Sequence, residues 1–222
     1  MATHLLTGAG SGMGAVLADR LLERGDTLLL LSRSTERAHD LPDATVLVAD
    51  LADAAAVEAV ADQLPDSLDS VVHAAGVVDL GPVAELTTDA WQSQLAVNLL
   101  APAVMTRLCL PALRSARGTV VFVNSGAGLV AHPTWSAYAA SKFGLRALAD
   151  SLRAEEQEHG VRVTTVYPGR TATPMQQKVH QQEGKEYDAS DWIDPDTVVD
   201  AILHVLDLAD EATVSDLTIR PR

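Results

Sequence analysis

The stretch THLLTGAGSGMGAVLADRLLER, residues 3–24, decides the fold. A short apolar run, 3–7, enters a turn that holds four glycines in seven residues, Gly8-Ala9-Gly10-Ser11-Gly12-Met13-Gly14. A helix-like segment over 13–24 follows and stops at Gly25, a residue that readily takes the left-handed conformation ending a helix. Strand, tight glycine turn and helix together read as the first half of a βαβ unit.

The same alternation continues to the end of the chain. Strands are expected at 3–7, 27–32, 44–49, 69–74, 118–124, 161–167 and 213–219, and helices at 13–24, 53–63, 88–115, 136–159 and 195–209. Most of the strands are unbroken Val/Leu runs, as strands covered on both faces should be. The pattern predicts one α/β domain over residues 1–222, a doubly wound, mostly parallel sheet with helices on both faces. Residues 174–192, PMQQKVHQQEGKEYDASDW, are polar and lack an apolar period, and are expected to form a mobile loop over the substrate.

Composition narrows the function. The formal net charge of −14 argues against nucleic acid or an anionic membrane surface as partner. Cys109, the single cysteine, excludes an internal disulfide, and its apolar helix suggests a buried, inert thiol. The seven histidines show no metal-ligand spacing, so no metal is expected. MATHLL is expected to leave no room for a leader, and no apolar run is expected to approach the roughly 18–20 residues of a membrane span. The expectation is a cytoplasmic protein.

In a parallel sheet the strand ends line one edge, where ligands bind. Gly8–Gly14, Ser32–Arg33, Asp50, His73–Gly76, Asn124–Gly126 and Pro168–Gly169 all fall there. A generic G-x-G-x-x-A match uses Gly10, Gly12 and Ala15, whereas position relative to the strand favours Gly8, Gly12 and Gly14. Such a turn lets backbone approach a pyrophosphate at a helix N-terminus, although a ligand-free turn would look similar. Where an NAD-preferring protein ends its second strand in an acid, this chain has Ser32 and then Arg33. A missing carboxylate beside a guanidinium suits a 2′-phosphate, so NADP(H) is expected; an ordinary solvated arginine is the plainer alternative.

Tyr138 and Lys142 stand one turn apart on a helix, and Ser125 closes the preceding apolar strand. An ammonium near a phenol is expected to lower the phenol pKa from about 10, allowing proton exchange with a substrate oxygen near neutral pH. The pair alone is not decisive, because a packed tyrosine followed by a solvated lysine has the same spacing.

Here the chain resembles the short-chain dehydrogenase/reductase family, specifically its compact single-domain branch. The segments that carry the resemblance are TGAGSGMG (7–14), DL (50–51), HAAG (73–76), VNLLAP (97–102), NSGAG (124–128), YAASK (138–142), PGRTATPM (168–175) and SDLTIRP (215–221). The resemblance implies a Rossmann fold and a catalytic tetrad of Asn98, Ser125, Tyr138 and Lys142. Tyr138 is then the general acid or base, Ser125 holds the carbonyl, and Lys142 binds the nicotinamide ribose. Asn98 kinks its helix and holds a water. Cofactor contacts are implied for Gly8, Ser11, Gly12, Met13, Gly14, Ser32, Arg33, Asp50, Leu51, the Ala74–Ala75–Gly76 backbone, Pro168, Gly169, Thr171 and Thr173.

One departure is His73, where the family usually has Asn. It reads as a satisfied strand-end residue rather than a proton relay and stays outside the catalytic set. The implied activity is NADP(H)-dependent interconversion of a small carbonyl compound and an alcohol. The alternative is a cofactor-binding regulator without catalysis; the family's extended-scaffold epimerases need a longer C-terminal part. Steroid, quinone, acyl thioester, sugar and xenobiotic ketone remain open as substrates. Small residues on helices 101–116 and 136–159 suggest a homodimer or homotetramer.

Overall fold

The run Leu28–Leu31 shows why the strands read as unbroken apolar stretches. All four leucines are buried. Leu28 and Leu30 join the core on one face of the sheet, Leu29 and Leu31 the core on the other. With both faces covered, no strand position of this kind is left for a polar residue.

The computed structural model describes residues 1–34, 41 and 43–222. Its elements are β1 (Thr3–Thr7), α1 (Gly12–Glu23), β2 (Thr27–Ser32), β3 (Ala44–Val48), α2 (Ala54–Glu58), β4 (Ser70–His73), α3 (Thr88–Leu95), α4 (Ala101–Ala116), β5 (Thr119–Val123), α5 (Ser136–Glu155), β6 (Arg162–Pro168), α6 (Pro174–Glu183), α7 (Pro195–Leu206) and β7 (Asp216–Ile219). The seven strands form one sheet in the order β3-β2-β1-β4-β5-β6-β7. Every strand pairing is parallel. The order reverses between β1 and β4, and the strand ends part there to leave a crevice.

Helices α1 and α7 cover one face through Leu17, Leu21, Val198 and Ile202. Helices α4 and α5 cover the other through Met105, Cys109, Leu145 and Ala149. The Cys109 thiol is fully buried, and burial pushes its pKa up to about 12, where it is inert.

Several boundaries differ from the sequence expectation. The segment 53–63 is a short helix capped by the Asp53 carboxylate and then a separate 3₁₀ turn at Ala61–Gln63. Residues 88–116 are one continuous helical stretch that widens into a π turn at Ala96–Leu100. This stretch is long and apolar enough to cross a membrane by length and composition, which corrects the expectation that no such run exists. Met105, Cys109 and Leu113 bury its inner side in the core, and that placement accounts for its apolar content.

The expected loop at 174–192 is corrected in its first half, which is helix α6. The Thr173 hydroxyl accepts from the Gln176 N–H, Pro174 occupies the first turn, and Gly184 ends the helix at φ 66°. These are ordinary start and stop signals. They were hidden because two of the three residues that α6 buries are polar, Gln176 and His180, so no apolar period shows.

Candidate active site and cofactor groove

The glycine turn after β1 is shaped by what a side chain would strike. Gly8 has φ 81°, and a Cβ there would lie 2.5 Å from the Ala75 nitrogen. A Cβ on Gly14 would lie 2.2 Å from the Gly8 carbonyl oxygen, so only glycine lets α1 begin this close to the turn. Gly12 has φ 55°. The structure therefore selects Gly8, Gly12 and Gly14 over the Gly10–Gly12–Ala15 match. Ser11 makes no side-chain cap at the start of α1, and no acid stands in the first turn. The N–H groups there face an open groove with their positive end.

That groove has a volume of about 440 Å³ and runs along the strand ends. Its walls include Gly8, Ser11, Gly12, Met13, Gly14, Ser32, Arg33, Asp50, Leu51, Ala74, Ala75, Gly76 and Thr173, all expected from the sequence. Pro168, Gly169 and Thr171 are outside its lining. The space beside Gly169 is filled by Pro221, 2.8 Å from where a Cβ would be, and the Thr171 hydroxyl donates to the Gly169 carbonyl at 3.1 Å. A glycine cradle, an uncapped helix start and an Arg33 side chain in one groove fit an anionic dinucleotide.

At Gly76 the groove meets the expected tetrad. A Cβ on Gly76 would lie 3.4 Å from Asn98 Oδ1 and 3.9 Å from Lys142 Nζ. Asn98, in the π turn, accepts from the Val77 N–H at 2.8 Å and donates to the Val77 carbonyl at 2.9 Å. Its amide also donates to Ser141 Oγ at 3.0 Å. The Asn98 side chain thus fixes the backbone at Val77, on the groove wall.

Ser125 leaves β5 in an extended conformation, and its hydroxyl accepts from the Ala127 N–H at 3.1 Å. Asn124 joins this segment to α5: its Oδ1 accepts from the Ser125 N–H at 2.8 Å and its Nδ2 donates to the Lys142 carbonyl at 3.0 Å. A Cβ on Gly128 would lie 2.3 Å from that Oδ1, so the glycine and the asparagine form a matched pair. Sequence reading placed Asn124 only within a motif; its bridging role needed the fold. On the far side, a Cβ on Gly126 would lie 2.6 Å from Nη1 of Arg220, which comes from the end of β7.

Tyr138 is buried, with its ring 5.8 Å from Lys142 Nζ. The lysine donates to the Val123 carbonyl at 3.0 Å. Burial pushes the Tyr138 phenol up to about 12, opposed by a hydrogen bond from Ser125. The expectation that Lys142 lowers this pKa is therefore corrected: desolvation wins. Burial also brings the Lys142 ammonium down to about 8.

His73 is neutral and structural. Its ring stacks on Phe122 at 5.1 Å and its Nε2 pairs with Thr106 Oγ1 at 2.8 Å. Burial brings its pKa down to about 3.

Known proteins resemble this chain in sequence and in fold. The family profile described as short chain dehydrogenase matches residues 2–184. A protein of Staphylococcus epidermidis described as an uncharacterized oxidoreductase is 26% identical over 98% of this chain and 96% of its own length. Retinol dehydrogenase 5 of Mus musculus is 36% identical over 77% of this chain and 57% of its own. A metagenomic short-chain oxidoreductase solved with NADP superposes with a TM-score of 0.83 at 28% identity, covering 100% of this chain and 97% of that one. A 4-hydroxyisoleucine dehydrogenase solved with NADH gives 0.87 at 25% identity, covering 100% and 98%. With its parallel sheet, its glycine turn and Ser125, Tyr138 and Lys142 gathered at one strand edge, the chain is an oxidoreductase that belongs to the short-chain dehydrogenase/reductase family.

Proposed function

We propose that this oxidoreductase is NADP(H)-dependent and interconverts a ketone or aldehyde with its alcohol, with Tyr138 giving or taking the proton. The observation that carries the reading is the Tyr138 phenol, buried, protonated at neutral pH and hydrogen-bonded with Ser125, its ring 5.8 Å from Lys142 Nζ, which in turn stands beside the groove at Gly76. A neutral phenol is a competent donor to a carbonyl oxygen as it becomes an alkoxide, and the Ser125 hydroxyl steadies that oxygen. The nicotinamide, when bound, supplies the hydride for reduction or accepts it in oxidation. Lys142 would hold ribose hydroxyls, and the Thr173 hydroxyl, on the groove wall, would hold the carboxamide with the backbone near Thr171. The glycine turn takes the pyrophosphate, and Asp50 and Leu51 flank the adenine. Ser32 and Arg33, both on the groove wall, favour a 2′-phosphate over a bare ribose.

NADPH absorbance followed over a panel of ketones and aldehydes tests the activity, and its pH dependence tests the proton donor. Reduction runs at neutral pH and falls as Lys142 loses its proton past about 8. Oxidation climbs with pH toward about 12, because it needs the phenolate. An oxidative rate independent of pH contradicts the assignment. The same reading includes a cytoplasmic protein that pairs through α4 and α5, supported by Leu100 and Phe143 standing 49% and 41% exposed near these helices. Light scattering giving only the 23.4 kDa monomer rejects the pairing.

A further inference from the structure

The residue that follows Ser125 has no side chain, and an arginine from the far end of the chain takes up its space. A Cβ on Gly126 would lie 2.6 Å from Nη1, 3.6 Å from Cζ and 3.8 Å from Nη2 of Arg220. The sheet register explains how Arg220 arrives there. Val123 pairs with Val166 and Pro168 with Ile219, so β5, β6 and β7 end at one edge. The backbone is held on either side of Arg220. The Ile219 carbonyl accepts from the Gly169 N–H at 2.7 Å, and Pro221 fills the space beside Gly169.

The charge of Arg220 is left over. Arg24 lies against Asp207, Arg114 against Glu156 and Arg170 against Glu183. Among the described residues Arg220 makes neither an ion pair nor a hydrogen bond, in a chain with 30 acidic side chains to draw on. Any long aliphatic side chain would serve to pack over Gly126. A planar fork of N–H donors, one residue from the hydroxyl that steadies the carbonyl oxygen, suits a planar anion instead. Ser125 and Gly126 are half-buried and Arg220 is exposed, so each presents surface to a small solute.

We propose that Arg220 binds a carboxylate of the substrate, and that the substrate is a short oxo acid reduced to its hydroxy acid. The proposal rests on the carbonyl-reducing reading of Tyr138. Consecutive Cα atoms stand about 3.8 Å apart, so a molecule held by Ser125 and Arg220 together carries its carboxylate within a few bonds of its carbonyl. Reduction adds a hydride from NADPH to the carbonyl carbon and the Tyr138 proton to its oxygen. The C=O double bond becomes a C–OH single bond, NADPH becomes NADP⁺, and the carboxylate is unchanged.

The test pairs each oxo acid with a neutral ketone of the same length: acetoacetate with 2-pentanone, and levulinate with 2-hexanone. In the wild type the oxo acid has the higher kcat/KM, by roughly ten- to hundredfold. Arg220→Met still covers Gly126 but has no charge, and brings that ratio down to about one. Arg220→Lys keeps the charge without the fork and retains part of the ratio. Gly126→Ala lowers the ratio with Arg220 intact, because its Cβ would displace the guanidinium. Calorimetric binding of pentanoate and pentanamide to the NADPH-loaded protein reads the same contact without turnover, and the wild type prefers pentanoate by a similar factor. A ratio near one in the wild type, or the same ratio in Arg220→Met, overturns the proposal, as does equal binding of pentanoate and pentanamide. A pentanoate preference that Arg220→Met abolishes, with no carbonyl compound turned over, leaves the carboxylate site standing and rejects the carbonyl-reducing reading alone.

Discussion

The glycine turn at residues 8–14 and the aromatic corner where the Trp135 ring meets that of Tyr138 are made of different material. At the turn, backbone meets backbone: a Cβ on Gly14 would reach the Gly8 oxygen at 2.2 Å. Only the absence of a side chain satisfies such a contact, so the requirement is written into residue identity. At Trp135 the contacts are between side chains from separate segments, Arg170 after β6, Glu183 on α6 and Leu80 after β4. Any of these can change with compensation from another. A feature built from backbone is readily shared across a family, whereas one built from side chains can be particular to one chain.

The sharpest way to separate the two is at the Tyr138 ring. Tyr138→Phe keeps the ring against Trp135 and removes the proton, so turnover should fall by roughly 10² to 10⁴ while NADPH affinity, measured by titration, stays nearly constant. Retention of most of the wild-type kcat/KM breaks the assignment. A change confined to the cofactor groove comes next. Ser32→Asp with Arg33→Leu adds a carboxylate and removes a cation, and should invert a roughly ten- to hundredfold preference for NADPH over NADH. An unchanged cofactor ratio means the loop does not read the 2′-phosphate.

The third prediction concerns the core that carries both features. The folded pKa of His73, about 3, lies below its ordinary value of 6.5. The unfolded chain therefore takes up a proton that the folded chain refuses, and stability that is complete above 6.5 is lost as pH falls toward 3. This one group costs about 1.4 kcal/mol per pH unit within that window, about tenfold in the folding equilibrium. His4, also lowered by burial, adds in the same sense. Denaturant melts of wild type and His73→Asn at neutral and mildly acid pH measure the slope. An equal slope in both means His73 titrates normally in the fold.

Much of the fold was legible because it follows from local rules. The Leu28–Leu31 run needs two covered faces, and the strand–turn–helix entry at Gly8–Gly14 has few other solutions. Tyr138 and Lys142 share a helix, so their proximity follows from spacing alone. Helix α6 was missed despite its Thr173-Pro174 start and Gly184 stop, because polarity was weighed above caps. The π turn at Asn98 has no local signature of its own. The direction of the Tyr138 pKa was misread because burial is a property of everything around the phenol, whereas sequence shows only its neighbour on the helix. The bridge at Asn124 and the corner at Trp135 likewise join segments with no fixed spacing.

The Arg220 guanidinium, which fills the space a Cβ on Gly126 would need, sets the outermost strand of the sheet beside the Ser125 segment. Strand β7 pairs on one side only, with β6, and its residues are half-buried or exposed. Edge elements of this kind open at a lower free-energy cost than the core they flank. Heating should therefore detach β7 before the rest melts, and the Ser125 loop would lose its backing at that moment. Activity would then fade at a temperature where the helical circular-dichroism signal is still intact, and stapling β7 to β6 would raise the working temperature more than it raises Tm.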